Sequence, residues 1–189
     1  MSAQAQQKYL MPEEYLAIER QSAEKSEYVD GVMYVMAGGS PNHSLIGGNV
    51  LTELNTQLKR SPCRVFNSDL KVCVPSKRKY FYPDVTVVCG APQFDDDQDV
   101  LLNPLLLIEV LSDSTAGYDR ARKFLYYQEI ESFSEYLLLS QDEFVVEHYV
   151  KQPNGSWIYT VARGEEQSVE LTTINCRLQL RDIYAKVLA

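Results

Sequence analysis

Three residues carry the pattern that points to chemistry: Asp84 in YFYPDVTVV, Glu109 in PLLLIEVLSDST and Lys123 in YDRARKFLYY. The two acids fall inside otherwise apolar, strand-prone runs, where a carboxylate is costly unless its charge is compensated. A divalent cation held by both would compensate it. Magnesium takes one or two carboxylates and fills its shell with water and phosphate oxygens. There it polarises a phosphoryl oxygen and lowers the pKa of a bound water. The carbonyl of Val110 is a further candidate oxygen ligand. Lysine suits the third role, because its ammonium is a compact point charge able to stabilise a transition state or orient water. Asp119, Lys123 and Tyr127 are spaced i, i+4, i+8 and share one helix face. The bland alternative for Asp119 and Lys123 is an exposed ion pair. The pattern reads as a magnesium- or manganese-dependent site that cuts phosphodiesters.

Such a site needs two neighbouring strands and a helix laid against them. The segments around Asp84 (Tyr80 to Val88) and Glu109 (Leu105 to Leu111) are strand-like, and the second is nearly all apolar, as in a strand buried on both faces. On adjacent strands of one sheet, about 4.8 Å apart, the two carboxylates would share a cation. Tyr118 to Glu131 reads as the helix that carries Lys123. Upstream, Pro12 to about Gln21 is a short helix with Glu13 and Glu14 in its first turn. Asp30-Gly31 between β-prone runs predicts a two-residue hairpin. Ser40-Pro41 starts a helix to about Arg60, with Gly47-Gly48 inside it weakening the pattern or allowing a close backbone approach. Arg64 to Val74 is a further strand. Downstream, strands are expected over 135–140, 144–151, 157–163 and 168–171, with a closing helix from Asp182 to Leu188. The order predicts a mixed α/β, or α+β, layer protein with a mixed central sheet flanked by helices and extra C-terminal strands. It reads as a single domain over 1–189: an N-terminal helix and hairpin over 10–37, a catalytic core over 41–140, and a C-terminal part over 141–189.

With 189 residues and 45% apolar content, the chain suffices for one domain with a real core. No run is long and apolar enough to span a membrane, and MSAQAQQKYL lacks the pattern of a secretory signal. Cys63, Cys73, Cys89 and Cys176 form no CxxC pair, so a zinc site is not expected, and Cys73 and Cys89 read as small buried hydrophobes. A reducing, cytoplasmic setting is the expectation. The net charge of −8 argues against a protein that coats nucleic acid. Lys59, Arg60, Arg64, Lys71, Lys77, Arg78 and Lys79 cluster in one stretch, either a phosphate-facing surface beside the acidic centre or a solvated turn. Asp95, Asp96, Asp97 and Asp99 lie in a polar loop without EF-hand spacing, read as solvated.

Taken together, EYVDG, PNHSLI, YPDV, IEVLSDST and YDRARKFLYY, from about Pro12 to about Tyr136, resemble the Uma2 family of predicted endonucleases, also called DUF820. That family lies within the PD-(D/E)xK restriction-endonuclease-like superfamily. The resemblance implies that Asp84 and Glu109 are the two metal-binding acids. It makes Lys123 the family's lysine, moved from the strand to the following helix, since Leu111 stands where the superfamily pattern has lysine. Glu27 matches an N-terminal glutamate that completes such sites as a further metal ligand. His43 matches a histidine near a helix start that touches phosphate or orients water, against a capping or packing role. Ser112, Ser114 and Thr115 match a Ser-x-Ser-Thr stretch that hydrogen-bonds phosphate or caps the next helix. Tyr127 is a second-tier site residue. Past Tyr136 the likeness weakens, and Leu137 and Ser140 depart from the family's Tyr-Trp-x-x-Asp pattern.

The implied activity is DNA endonuclease, with Mg²⁺ or Mn²⁺ as cofactor, duplex DNA as partner and a homodimer to cut both strands. Two rivals stay open. One is a non-catalytic nucleic-acid or partner-binding module on a degenerate nuclease scaffold. The other is a metal-free hydrolase using paired carboxylates, such as a glycosidase. No zinc finger or helix-turn-helix is present, so specificity would come from loops such as Lys77 to Lys79 and Gly38 to Ser44.

Overall fold

Local chemistry fixes the N-terminal third. The computed structural model describes residues 9–76, 78–112 and 115–188. Ser114 and Lys77 lie outside them. Helix α1 (Pro12–Glu19) starts at the expected proline, and Glu14 reaches back to accept from the Met11 N–H at 2.8 Å. Asp30 (φ 47°) and Gly31 (φ 99°) supply the two left-handed residues of a tight hairpin between β1 (Ser26–Val29) and β2 (Val32–Val35). Ser40 caps α2 (Pro41–Leu58) by accepting from the His43 N–H at 3.1 Å. Ile46, Val50, Leu54 and Leu58 form the buried stripe of α2. A Cβ on Gly47 or Gly48 would meet nothing, so neither glycine serves a close approach.

Each of the next two expected strands is broken in two. The first becomes β3 (Cys63–Asn67) and β4 (Lys71–Cys73), separated by a turn in which Asn67 accepts from the Asp69 N–H. The second becomes β5 (Lys79–Phe81) and β6 (Val85–Cys89), separated at Pro83, which has no N–H for a ladder. Then follow β7 (Val100–Leu101), β8 (Leu106–Val110), α3 (Ala116–Tyr118), a π-helical turn (Asp119–Lys123) and α4 (Phe124–Tyr127). The C-terminal part holds β9 (Glu135–Leu139), β10 (Val145–Lys151), β11 (Trp157–Arg163), β12 (Ser168–Leu171), β13 (Cys176–Gln179) and α5 (Leu180–Ile183). Four of these differ from expectation: β7 and β13 are additional, the closing helix starts earlier and is shorter, and the helix expected over 118–131 runs over 116–127 with a π-helical turn in its middle.

The halves of each broken strand belong to different sheets. One sheet runs β11-β10-β9-β8-β6-β3, the other β2-β1-β5-β4-β7, and β12 pairs with β13 alone. β8 and β9 are parallel, and the helical stretch between them is their crossover. Alternation along β8 sends Leu106, Ile108 and Val110 into a core shared with α2 and the C-terminal elements. Leu107 and Leu111 point the other way, into a core with Tyr127, Phe133 and Tyr136. Glu109 shares that second direction.

Three charge and cysteine expectations change. Asp95, Asp97 and Asp99 all pair with Arg20 (2.6–3.0 Å), and Asp99 also pairs with the buried Lys71 at 2.8 Å. The acidic loop is therefore tied to the end of α1, while Asp96 and Asp97 stay exposed as expected. The basic stretch is dispersed: Lys71 bonds Glu19 at 2.8 Å, and the buried Lys79 lies 4.7 Å from the Tyr126 ring centre. Lys59 and Arg60 sit past the far end of α2 from His43, about 24 Å away along the helix at 1.5 Å per residue. Finally, Cys63 and Cys89 are direct partners across β3 and β6 and form a disulfide, so Cys89 is not a lone buried thiol. Cys73 is buried as expected. Among the described residues no helix is long and apolar enough to cross a membrane.

Candidate active site

The antiparallel register of β6 and β8 pairs Val85 with Ile108. One step further places Asp84 opposite Glu109. Asp84 is thus not inside a strand but at the break that Pro83 creates, and its side chain turns onto the end of β8. There its Oδ2 accepts from the Val110 N–H at 2.7 Å. A strand residue's N–H and C=O point to the same side, so the Val110 carbonyl looks toward Asp84 as well. The Nε2 of His43, from the first turn of α2, lies 3.2 Å from the same Oδ2. That contact with Asp84 raises the pKa of His43 despite partial burial and favours the imidazolium.

Lys123 arrives from the crossover helix and is almost fully buried. Its ammonium lies 2.9 Å from Glu27 of β1, 3.2 Å from Glu109 and 3.5 Å from Asp119. The exposed-pair reading of Asp119 and Lys123 is therefore overturned, since both side chains are buried. Burial by itself would depress the lysine's pKa, but Glu109, Glu27 and Asp119 outweigh it and hold the pKa well above the usual range. Lys123 stays charged. Glu109 is pushed well up, first by burial and then by Asp119, Asp84 and Glu27, with Lys123 opposing. Four carboxylates around one lysine and one histidine leave an excess of negative charge, which makes ionising Glu109 costly. The Tyr127 hydroxyl donates to Glu109 Oε1 at 2.8 Å, and burial beside that carboxylate keeps the phenol protonated.

The site therefore spans both sheets and two helical elements. It brings together Glu27, His43, Asp84, Glu109, Lys123, Tyr127 and the Val110 backbone. Ser112 and Thr115 stand at the start of the crossover helix. Ser112 Oγ lies 2.9 Å from Thr115 Oγ1 and accepts from the Thr115 N–H at 3.3 Å, a capping arrangement. Among the described residues no three His, Cys, Asp or Glu side chains converge tightly enough to enclose an ion; Lys123 lies between Glu27 and Glu109.

Asp119 joins the site as a fourth carboxylate, a role its helical spacing hinted at without assigning it. Tyr82 was invisible in sequence: its N–H contacts Glu27 Oε1 at 3.4 Å, and its hydroxyl bonds Glu19, linking the site to the Arg20–Lys71 network. The second histidine, His148, is remote from these residues and bonds the fully buried Glu135 at 2.6 Å.

Comparison with known proteins gives consistent results. The family model Uma2, described as "Putative restriction endonuclease", matches residues 12–181, well past Tyr136. The uncharacterized protein sll1609 of Synechocystis sp. is 38% identical over 173 residues, covering 91% of this chain and 98% of that protein. The uncharacterized protein slr1290 of the same organism is 37% identical over 175 residues, covering 93% and 91%. Among solved structures, a protein described as "a putative nuclease belonging to DUF820" from Anabaena variabilis matches with a TM-score of 0.78. That match covers 95% of this chain and 99% of the other at 18% identity, a likeness of fold.

Proposed function

From its membership of the Uma2 family, to which this chain belongs, we propose that the site hydrolyses phosphodiester bonds of duplex DNA with bound Mg²⁺ or Mn²⁺. The observation that carries the reading is the surplus of buried carboxylate around Lys123, with Asp84 and Glu109 opposite each other at the end of two neighbouring strands. Hard oxygen donors fit a hard cation. The contacts of Asp84 use Oδ2 and those of Glu109 use Oε1, so Oδ1 and Oε2 remain as donors beside the Val110 carbonyl, with Glu27 in reserve. A magnesium ion needs no more than this from protein, since substrate and water supply the rest. Bound there, it would lower the pKa of a water and polarise the phosphoryl oxygen.

The chain's own residues do the remaining work. Tyr127 fixes the rotamer of Glu109 through its hydrogen bond. Lys123, held by three carboxylates, offers a fixed positive charge to the phosphorane-like oxygens and keeps the carboxylates from repelling one another. His43, as imidazolium on Asp84, is placed to donate to a phosphate oxygen. Ser112 and Thr115 hydrogen-bond each other in the turn that leads from β8 into the crossover helix. Cutting both strands calls for two such sites, hence a homodimer.

The test is cleavage of a mixed duplex pool with Mg²⁺ or Mn²⁺ by wild type and Asp84→Ala. Metal-dependent cutting lost in the variant is expected; equal cutting by both, or cutting that survives EDTA, sinks the proposal. A second reading, a non-catalytic binding module, draws on the net charge of −8 and on the buried Leu111 at the superfamily's lysine position. It predicts nucleic-acid or partner binding with no cleavage under any metal.

A further inference from the structure

A closed ring of hydrogen bonds surrounds Asp84, and one member comes from outside every motif described above. Gln141 lies in the loop after β9. Its Nε2 donates to the Leu111 carbonyl at 2.6 Å, and its Oε1 accepts from the Ser40 hydroxyl. Ser40 Oγ in turn accepts from the His43 N–H at 3.1 Å. His43 reaches Asp84, and Asp84 returns to the strand at Val110, next to Leu111. The ring ties the start of α2, the end of β8 and the β9–β10 loop together around one carboxylate oxygen. On the other side of the imidazole stands Gly39. A Cβ there would lie 2.8 Å from His43 Nδ1 and 3.1 Å from Cγ. Gly39 is therefore glycine for close approach, and a side chain there would displace the ring, the movable partner.

We propose that Gln141, with Gly39 and Ser40, is a positioning residue for His43: it locks the first turn of α2 to the end of β8 so that the imidazole stays on Asp84. The inference rests on the nuclease reading for its effect on turnover, but not for its geometry. His43 sits on a helix whose first turn is otherwise solvent-facing, with Ser40 and Pro41 both exposed. Without Gln141 that turn keeps its Ser40 cap but is tied to β8 only through His43 and Asp84 themselves. Gln141 touches neither Asp84 nor His43, so it acts through Ser40.

The experiment measures Gln141→Ala, Gln141→Glu and Gly39→Ala by two readouts. The first is the imidazole ¹⁵N–¹H spectrum at one fixed pH. The chain has two histidines, and His148 serves as an internal reference. In Gln141→Ala and Gly39→Ala the His43 signals should move toward those of Asp84→Ala while those of His148 stay. Gln141→Glu keeps an acceptor for Ser40 and should fall between. The second readout is metal-dependent cleavage, where kcat should fall about 10- to 100-fold, the usual cost of losing an outer support of a site, with KM little changed. His43 signals that do not move in Gln141→Ala or Gly39→Ala overturn the positioning claim, whatever the activity. Moved signals in a protein whose wild type cuts nothing keep the positioning claim and sink the nuclease reading.

Discussion

Removing the ammonium of Lys123 is the sharpest test of how the site is held together. Lys123→Met keeps most of the side-chain volume but leaves Glu27, Glu109 and Asp119 facing one another without the cation now 2.9–3.5 Å from each. Deleting one partner of a buried ion pair costs about 3–5 kcal/mol, because the remaining charge is uncompensated. Glu109 relieves part of that by taking a proton, so the loss belongs near about 3 kcal/mol. For a chain of this size that lowers the melting temperature by roughly 6–12 °C. The pH dependence follows from sign. Glu109 already has a folded pKa above its ordinary value of 4.5, and Lys123 is the neighbour that opposes the rise. In the variant the pKa climbs further, the folded state binds more protons than the unfolded one, and stability falls as pH rises from about 4.5 upward. The gap between wild type and variant should therefore widen as pH rises above 4.5, the ordinary value of the carboxyl. Urea unfolding at several pH values reads this directly. If the site binds Mn²⁺ as proposed, Mn²⁺ at a hundred times its Kd should add about 2.7 kcal/mol to the stability of the form that binds it. A variant as stable as wild type, or a deficit that does not change with pH, would refute the electrostatic account of the site.

Further predictions concern parts remote from the chemistry. Asp99 is held down to about 2, chiefly by its hydrogen bond from Arg20. Its contribution is present above its unfolded value of 3.8 and disappears as pH falls through about 2. Because both partners are partly exposed, Arg20→Ala should cost about 1 kcal/mol at neutral pH, and the deficit should vanish in acid-unfolding curves near pH 2. The Cys63–Cys89 disulfide predicts two titratable thiols, not four, in denatured, unreduced protein; four would contradict the pairing. Changing both of these cysteines to alanine should cost about 3.5 kcal/mol in guanidinium unfolding, from a loop of 26 positions.

The acidic pair was legible because a carboxylate in an apolar strand run is conspicuous, and the register of β6 and β8 then sets Asp84 opposite Glu109. Lys123 was legible from helical spacing together with the family's motif. The hairpin at Asp30-Gly31 and the helix started by Ser40-Pro41 were legible because their turn and cap chemistry is local. What stayed hidden depends on partners far along the chain. Gln141 bonds residues 30 and 101 positions away, and no periodicity marks it. Arg20 meets the acidic loop 75–79 positions on, so the aspartates looked solvated. Cys63 and Cys89 become neighbours only once the β3–β6 register is known. The two strand breaks each carry a local signal, the polar Asn67-Ser68-Asp69 and Pro83, but β-prone residues resume at once on either side, so each pair of strands read as one run and the change of sheet stayed hidden.

The most direct test of the central claim is calorimetric titration of Mg²⁺ or Mn²⁺ into wild type and the Asp84→Ala/Glu109→Ala double variant, with and without a pool of duplex DNA. The account predicts binding in wild type that the double variant loses. Equal binding in both, or none in either with DNA present, would contradict it.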